Sequence, residues 1–526
     1  MNSWKFDVLP NDENNEKLLN HVHPSDWVNP EPEGIYNLVV IGAGTAGLIS
    51  AIATAGLGGK VALIERHLMG GDCLNVGCVP SKALIRPARL AAEMKNAAAF
   101  GLTASEVRKE DFPKVMERLR RIRAGISGND SAQRYSEKGV DVFLGEGKFI
   151  GPNAVEVEGK VLRFKKAVIA TGARAVHPNI PGLPAVPARR SLGEGGSNVE
   201  GGEVGFRTNE TIFNLTERPD HLIVIGGGPI GCELAQAFRR LGSKVTIVQR
   251  SRFLSKEDPE AAALLAEVFK EDGIDVLLDT TVLRVEKTDD GRKRLVVESA
   301  GQEQIIEGDE LLIGAGRAPN VTGAGLELAG VDYDARRGVT VDDNLRTTNK
   351  NIYAAGDCCM QWKFTHAADA AAQIVIQNAL FGGKKKLSAL NMPWCTFTDP
   401  EIAHTGLTKH DAKERGLETQ SFKFEMDEND RAIADGETRG FVKVMVKKGS
   451  DQILGATIVS THAGEMISEV STAMAAGMGL GKLGSVIHPY PTQAEAIKRV
   501  AGLYNQTRLT SFVAKLLNAW LKFQRR

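Results

Sequence analysis

One pattern occurs twice in this chain and narrows sharply what it can fold into. Asn37-Leu-Val-Val-Ile-Gly-Ala-Gly-Thr-Ala-Gly47 and His221-Leu-Ile-Val-Ile-Gly-Gly-Gly-Pro-Ile-Gly231 each lead from an apolar strand through a glycine turn into the start of a helix. The glycines have separate jobs. Gly42 and Gly226 permit the tight turn, Gly44 and Gly228 let a pyrophosphate approach the backbone, and Gly47 and Gly231 allow close helix packing. Phosphate charge then rests on the N-terminus of the helix. Two copies with identical offsets, each followed by an Ala-rich segment, predict an α/β chain with two Rossmann-like dinucleotide-binding domains.

The offsets also separate the two ligands. Glu65 lies 23 positions after Gly42, and Gln249 lies 23 positions after Gly226. A carboxylate at that strand end accepts hydrogen bonds from a ribose 2′-hydroxyl, so Glu65 suits an adenosine ribose without a 2′-phosphate, as in FAD. At the second site the anion is gone, and Arg250 and Arg252 follow. Their guanidinium forks match a phosphate, which favours NADPH over NADH.

Between the two turns lies Gly70-Gly-Asp-Cys73-Leu-Asn-Val-Gly-Cys78-Val-Pro-Ser-Lys82. A regular helix separates Cα atoms five positions apart by roughly 8 to 9 Å. A disulfide needs ~4.4 to 6.8 Å. The segment must therefore leave helical geometry between the cysteines, and Gly77 is the permissive residue. A helix N-terminus and Lys82 lower a thiol pKa, and a thiolate is the form that attacks disulfides or binds soft metals. Two cysteines without a second pair or a nearby histidine make an incomplete zinc site. Redox use is favoured.

A chain of 526 residues predicts three to four domains, and its 65 Lys and Arg balance 65 Asp and Glu. No overall field therefore draws it toward nucleic acid. Six cysteines are too few for a disulfide scaffold and point to a reducing compartment. Residues 1–32 read as neither a secretory signal nor a transit peptide, and no apolar run is long enough to span a bilayer, so a cytoplasmic location is expected. In the tail, Phe512, Val513, Leu516, Leu517, Trp520 and Leu521 share one helical face, with Lys515, Lys522, Arg525 and Arg526 nearby. Docking of this helix on its own protein is favoured over membrane contact.

These motifs, together with Ala170-Thr-Gly172, Gly314-Ala-Gly-Arg-Ala-Pro319, Ala354-Ala-Gly-Asp357 and Thr398-Asp-Pro-Glu401, resemble the pyridine nucleotide-disulfide oxidoreductases, and within them most closely mercuric reductase and its relatives. Dihydrolipoamide dehydrogenase and glutathione reductase are cousins. The resemblance runs from about Tyr36 to Arg508. It implies that Cys73 meets substrate, that Cys78 lies next to the flavin, that Lys82 sits by the reactive flavin nitrogen paired with Glu233, and that Asp357 binds the FAD ribityl chain. Arg66, Gly71, Thr171, Gly172, Gly314 and Arg317 complete the expected cofactor-binding set. Cys73 and Cys78 would hold a substrate metal ion only transiently.

The resemblance also implies an order of domains. An N-terminal extension (1–33) precedes the first part of an FAD-binding domain (34–185). A Gly-rich linker (186–206) leads to an NAD(P)-binding domain (207–335). The FAD-binding domain resumes (336–388) before an α+β dimerisation domain (389–508) and the amphipathic tail (509–526). A homodimer is implied, with each active site completed by the partner's C-terminal domain. The linker carries a polar, glycine-rich insertion, Pro187 to Gly202, that reads as a mobile surface loop.

Two departures matter. Disulfide reductases of this kind carry a His-Pro-Thr followed by a glutamate, whereas aligning on Pro491, Thr492 and Glu495 puts Tyr490 at the histidine's place. A phenol with pKa ~10 is a poor proton acceptor at neutral pH, so ordinary disulfide reduction is disfavoured. Mercuric reductases carry a tyrosine there. His488, two residues earlier, would share a side with Tyr490 in an extended segment and could deputise as the base, or could be structural. Against the mercury reading, the chain has no cysteine beyond Cys395, where mercuric reductases end in a vicinal pair. Cys232, Cys358, Cys359 and Cys395 read as core or interface thiols.

Overall fold

The computed structural model describes residues 6, 8–184 and 204–525. It divides into two compact units, residues 1–253 with 269–390 and residues 254–268 with 391–526.

In the first unit, strands β1 (Ile35–Ile41), β2 (Val61–Glu65), β3 (Val140–Leu144), β4 (Lys148–Gly151), β5 (Ala154–Val157) and β6 (Lys160–Ile169) form one sheet in the order β3-β2-β1-β6-β5-β4. A further strand, Ile352–Ala354, pairs in parallel with β6. This late strand returns the chain to its first sheet, which is why the motif around Asp357 sits beside the first glycine turn. The short strand β7 (Ala173–Ala175) pairs with Arg317–Pro319. A second, all-parallel sheet runs β10 (Ile274–Leu277), β9 (Lys244–Val248), β8 (His221–Ile225) and Glu310–Ile313. The strands read as near-continuous apolar runs because parallel strands are covered on both faces. In β1, Leu38, Val39 and Val40 are fully buried, and in β8 so are Leu222, Ile223 and Val224. The two Rossmann-like sheets expected from the duplicated turns are present.

The repeats match in atomic detail. Helix α1 (Glu13–Val22) precedes the first sheet, and α2 (Thr45–Gly56) follows the first glycine turn. Short α3 (Gly71–Asn75), then α4 (Cys78–Lys95), α5 (Phe112–Ile126) and α6 (Ala132–Glu137) come before the second turn, which α7 (Pro229–Arg240) follows. A Cβ on Gly42 (φ 103°) would lie 2.3 Å from the Ala170 carbonyl oxygen, and one on Gly226 (φ 115°) 2.5 Å from that of Gly314. Both glycines thus press against the end of the neighbouring strand, in a left-handed conformation that only glycine adopts without strain.

Helix α1 belongs to the N-terminal extension, and the structure gives it a role that its sequence did not disclose. Asp12 caps it by accepting from the Asn15 N–H at 2.9 Å and pairs with Arg120 at 2.5 Å. Arg123, on α5, donates to Asn15 Oδ1 at 2.6 Å and to the Asn75 carbonyl at 2.8 Å, in the short link between the cysteines. Arg123→Met would leave two buried acceptors unpaired, a cost of about 2–4 kcal/mol. A melting temperature several degrees below that of the parent is the expected result, and an unchanged one would mean that water replaces the guanidinium.

The second unit holds a five-stranded antiparallel sheet in the order Pro393–Thr396, Glu401–Gly406, Ile453–Ser460, Phe441–Lys447, Thr419–Glu425. Its core includes Val442, Val444 and Ile458 from the strands, with Ile467, Val470, Ile497 and Val500 from helices Ala463–Ala475 and Glu495–Thr507. Residues 254–268, which carry most of helix α8 (Pro259–Asp272), group with this unit although they lie in the sequence of the second sheet. Trp394 Nε1 donates to Glu257 Oε1 at 3.0 Å, Thr396 Oγ1 reaches the same oxygen at 3.3 Å, and Lys443 pairs with Asp258 at 2.7 Å. Burial pushes the Glu257 carboxyl up to about 7 against the pull of these two donors.

The tail corrects one expectation. It forms helix Ser511–Gln524, but none of its residues is buried, so it is not docked on its own chain. The amphipathic pattern states that one face needs cover without stating what supplies it. The insertion from Pro187 to Gly202 lies outside the described residues. Among the described residues no helix is long and apolar enough to cross a membrane.

Candidate active site

The cysteine segment breaks where the spacing requires. Helix α3 ends at Asn75, α4 starts at Cys78, and Val76 and Gly77 lie between them. A Cβ on Gly77 would stand 2.7 Å from the Asp72 carbonyl oxygen, so the close turn admits only glycine there. Asn75 fixes the bend by donating from Nδ2 to the carbonyls of Met69 at 3.0 Å and Gly71 at 2.8 Å. Both thiols are free, with Cys73 partly buried and Cys78 exposed to a cleft.

The groups around Cys78 favour its thiolate. The Cys73 thiol donates to it, the Thr365 hydroxyl stands 3.3 Å from its sulfur, and the Lys82 ammonium adds attraction, which together outweigh burial and bring Cys78 down to about 6. The same hydrogen bond, with burial, pushes Cys73 up. Cys78 therefore carries the negative charge at neutral pH and loses it as pH falls through about 6. Alkylation of the reduced enzyme by iodoacetamide should follow that curve at Cys78, with Cys73 reacting only at higher pH. A midpoint near ~8.5, the ordinary thiol value, would show that these neighbours do not act.

Lys82, one turn along α4, reaches across to Glu233 on α7, with Nζ 2.8 Å from Oε2. The lysine side chain is 36% exposed and the glutamate 8%, so the carboxylate anchors an ammonium whose other side faces the cleft. Cys78, Val79, Lys82, Ala83, Ile122 and Ile126 line an open groove of about 400 Å³.

The nucleotide-binding residues fall into place by repeat. Glu65 accepts from the Ala43 N–H at 2.6 Å and the His67 N–H at 2.7 Å. Gln249 does the same in the second repeat, accepting from Gly227 N–H at 2.8 Å. A carboxylate offers about four acceptor positions, and since the Arg66 amide also bonds to Glu65, about one is left for a ribose hydroxyl. Burial raises the Glu65 carboxyl against the pull of these amides. Arg66 follows it, exposed, and Arg250 and Arg252 are exposed at the end of β9. Helices α2 and α7 carry no side-chain cap and no acidic residue in the first turn, which leaves their N-terminal amides to an anion. A Cβ on Gly71 would come within 2.7 Å of the Gly44 Cα, so the backbone closes on the first turn. Thr171 and Gly172 are tied to Asn320, whose N–H donates to Gly172 O at 2.9 Å and whose carbonyl accepts from Thr171 Oγ1 at 2.6 Å. Arg317 pairs with Asp72, one residue before Cys73, and lies 3.4 Å from Asp357. Its Nε is buried without a hydrogen-bond partner. Burial raises the Asp357 carboxyl, with Arg317 opposing. A narrow glycine cradle, an uncapped helix start, a ribose-type carboxylate and a buried Asp–Arg pair fit FAD on the first sheet.

Each of these findings sits within the first unit. In the second, Tyr490 is 70% exposed and donates to Asp430 Oδ2 at 2.9 Å, a bond that raises its pKa. His488 points elsewhere. Its side chain is 4% exposed, with Nε2 2.8 Å from Glu469 Oε1. The expected shared side fails because the stretch is not a strand, so alternation does not govern it. Glu495 opens helix Glu495–Thr507 and pairs with Arg499 at 3.5 Å. Arg123, Thr365 and Asp72 were not marked in the sequence. Only Asp72 carried a signal, as an acid directly before the first cysteine.

Residues 36–372 match the pyridine nucleotide-disulphide oxidoreductase family, and residues 392–501 match its dimerisation domain. The chain belongs to this family. It is 36% identical over 472 residues to a mercuric reductase of Bacillus cereus, covering 90% of this chain and 72% of that protein. It is 34% identical over 468 residues to a dihydrolipoyl dehydrogenase of Staphylococcus aureus, covering 88% and 95%. Among solved structures it resembles the HOCl-induced flavoprotein disulfide reductase RclA from Escherichia coli, with a TM-score of 0.75, 29% identity, and 89% and 100% of the two chains covered. The chain is therefore an FAD-dependent pyridine nucleotide oxidoreductase with a dimerisation domain, which indicates a homodimer.

Proposed function

We propose that this enzyme uses NADPH to reduce a thiophilic metal ion such as Hg(II) held transiently by Cys73 and Cys78. One observation carries the choice of acceptor. The position where a disulfide reductase needs a base holds Tyr490, whose phenol already donates to the Asp430 carboxylate. A hydroxyl so engaged, with its pKa raised, is a poor base for taking up a proton at neutral pH and so a poor relay for delivering one to the leaving thiolate. Thiolate exchange on a metal needs no such base, and soft sulfur ligands suit a soft ion.

FAD, when bound, supplies the two-electron relay between nicotinamide and dithiol. Gly42, Gly44, Gly47, Gly71, Glu65, Arg66, Thr171, Gly172, Arg317 and Asp357 would hold it, in a domain of residues 34–185 and 336–388. Gly226, Gly228, Gly231 and Gly314 would receive the pyrophosphate of the nicotinamide cofactor, with Arg250 and Arg252 on a 2′-phosphate. Lys82 would keep a positive charge at the flavin, oriented by Glu233. Cys78 would hold the thiolate beside the ring, and Cys73 would exchange with the incoming ligand. Tyr490 and Glu495 would reach the site of the partner subunit, with His488 in a structural role on Glu469. The identity to a mercuric reductase supports the reading, and so do Cu(II) complexes of RclA from Escherichia coli, a structure 29% identical to this chain.

The test follows NADPH absorbance with Hg(II), Cu(II), lipoamide and glutathione disulfide, and repeats the panel with NADH. Metal-dependent consumption with NADPH is expected, and Tyr490→His should raise lipoamide turnover about tenfold or more by restoring a base. Fast lipoamide turnover by the parent with no response to either metal would instead establish a dihydrolipoyl dehydrogenase-like enzyme.

A further inference from the structure

The C-terminal helix Ser511–Gln524 presents two opposed faces to solvent. At ~100° per residue, Phe512, Phe523, Leu516, Trp520 and Val513 fall in one sector, with Leu517 and Leu521 extending it. Phe512 is 75% exposed, Phe523 68% and Trp520 56%, and the rings of Trp520 and Phe523 stack 6.0 Å apart. The opposite sector carries Lys515, Asn518, Lys522 and Arg525. No Asp or Glu occurs after Glu495, while Lys498, Arg499, Arg508, Lys515, Lys522, Arg525 and Arg526 do. A contiguous apolar face of this kind does not stay in water without a purpose.

Three occupants compete for that face. The helix cannot span a bilayer, since 14 residues rise only about 21 Å against a hydrocarbon core of ~30 Å. A second copy of the chain, with 65 basic and 65 acidic residues, offers the basic arc no general attraction, and the match to the dimerisation domain ends at residue 501, before the helix begins. An anionic lipid surface satisfies both faces, because aromatic and aliphatic side chains enter the headgroup boundary while lysine and arginine meet lipid phosphate. We infer that the enzyme binds anionic membranes reversibly through residues 511–525, lying in the plane of the surface.

The test uses full-length holoenzyme and vesicles of phosphatidylcholine alone or mixed with phosphatidylglycerol. Sedimentation with the mixed vesicles and not the neutral ones is expected, and it should weaken as salt rises. The double variant Leu516→Asp/Trp520→Asp should abolish binding. Lys515→Glu/Lys522→Glu, which reverses two charges, should weaken it by about 10³-fold. All four positions are outside the redox and nucleotide sites, so NADPH oxidation should stay unchanged. Failure to sediment with either vesicle would overturn the inference. So would a change in oligomeric mass on light scattering with Leu516→Asp/Trp520→Asp, which would assign the face to a second copy.

Discussion

Cys73→Ser is expected to retain flavin and to accept electrons from NADPH while losing metal-dependent turnover by about 10³-fold or more. Cys78→Ser should lose turnover to a similar extent by another route. The sulfur whose thiolate is favoured by Cys73, Thr365 and Lys82 is Cys78, so under the proposed function its removal should take away the charge next to the flavin, and with it the long-wavelength absorbance expected of the reduced parent. Cys73→Ser should keep that absorbance. Rapid-scanning spectra during anaerobic NADPH addition distinguish the two. Turnover undiminished in either variant would remove the dithiol from the reaction altogether.

The second large effect comes from one atom added in two places. Gly47→Ala sets a Cβ 1.8 Å from the Gly42 carbonyl oxygen, and Gly231→Ala sets one 2.0 Å from that of Gly226. Neither helix can keep its approach to the turn, so each substitution moves an anion-binding N-terminus. The outcomes should differ in kind. Gly47→Ala should purify largely colourless, whereas Gly231→Ala should be yellow, bleach with dithionite, and be reduced by NADPH about 10²-fold more slowly. Flavin content and stopped-flow bleaching check the pair. Full flavin in the first and normal bleaching in the second would mean that the two turns do not hold the two nucleotides as proposed.

The glycine turns were legible in the sequence because their residue type is forced by backbone contact, with Ala170 and Gly314 leaving no room for a side chain at Gly42 and Gly226. The helix break at Gly77 was legible for the same kind of reason, since disulfide length and helical spacing are incompatible. What escaped were contacts with no local rule. Thr365 lies 287 positions from Cys78, and Arg123 joins Asn15 to Asn75 across three separate segments. Of the two roles open to His488, the one beside Tyr490 required a strand, and the stretch is not one; the imidazole pairs with Glu469 instead. The tail helix itself was predicted from its periodicity, but periodicity carries no information on what meets the apolar face.

The carboxylates of Glu257 and Asp258 have a consequence for how relatives of this protein can exchange parts. A gene fragment starting near residue 391 would encode the whole antiparallel sheet yet deprive the Trp394 indole and the Lys443 ammonium of acceptors supplied from far upstream. Recombination at that apparent seam should therefore give poorly soluble chimaeras. Swaps that carry residues 254–268 along with the C-terminal portion inherit both halves of the clasp, and these are the crossovers that natural or laboratory shuffling should tolerate.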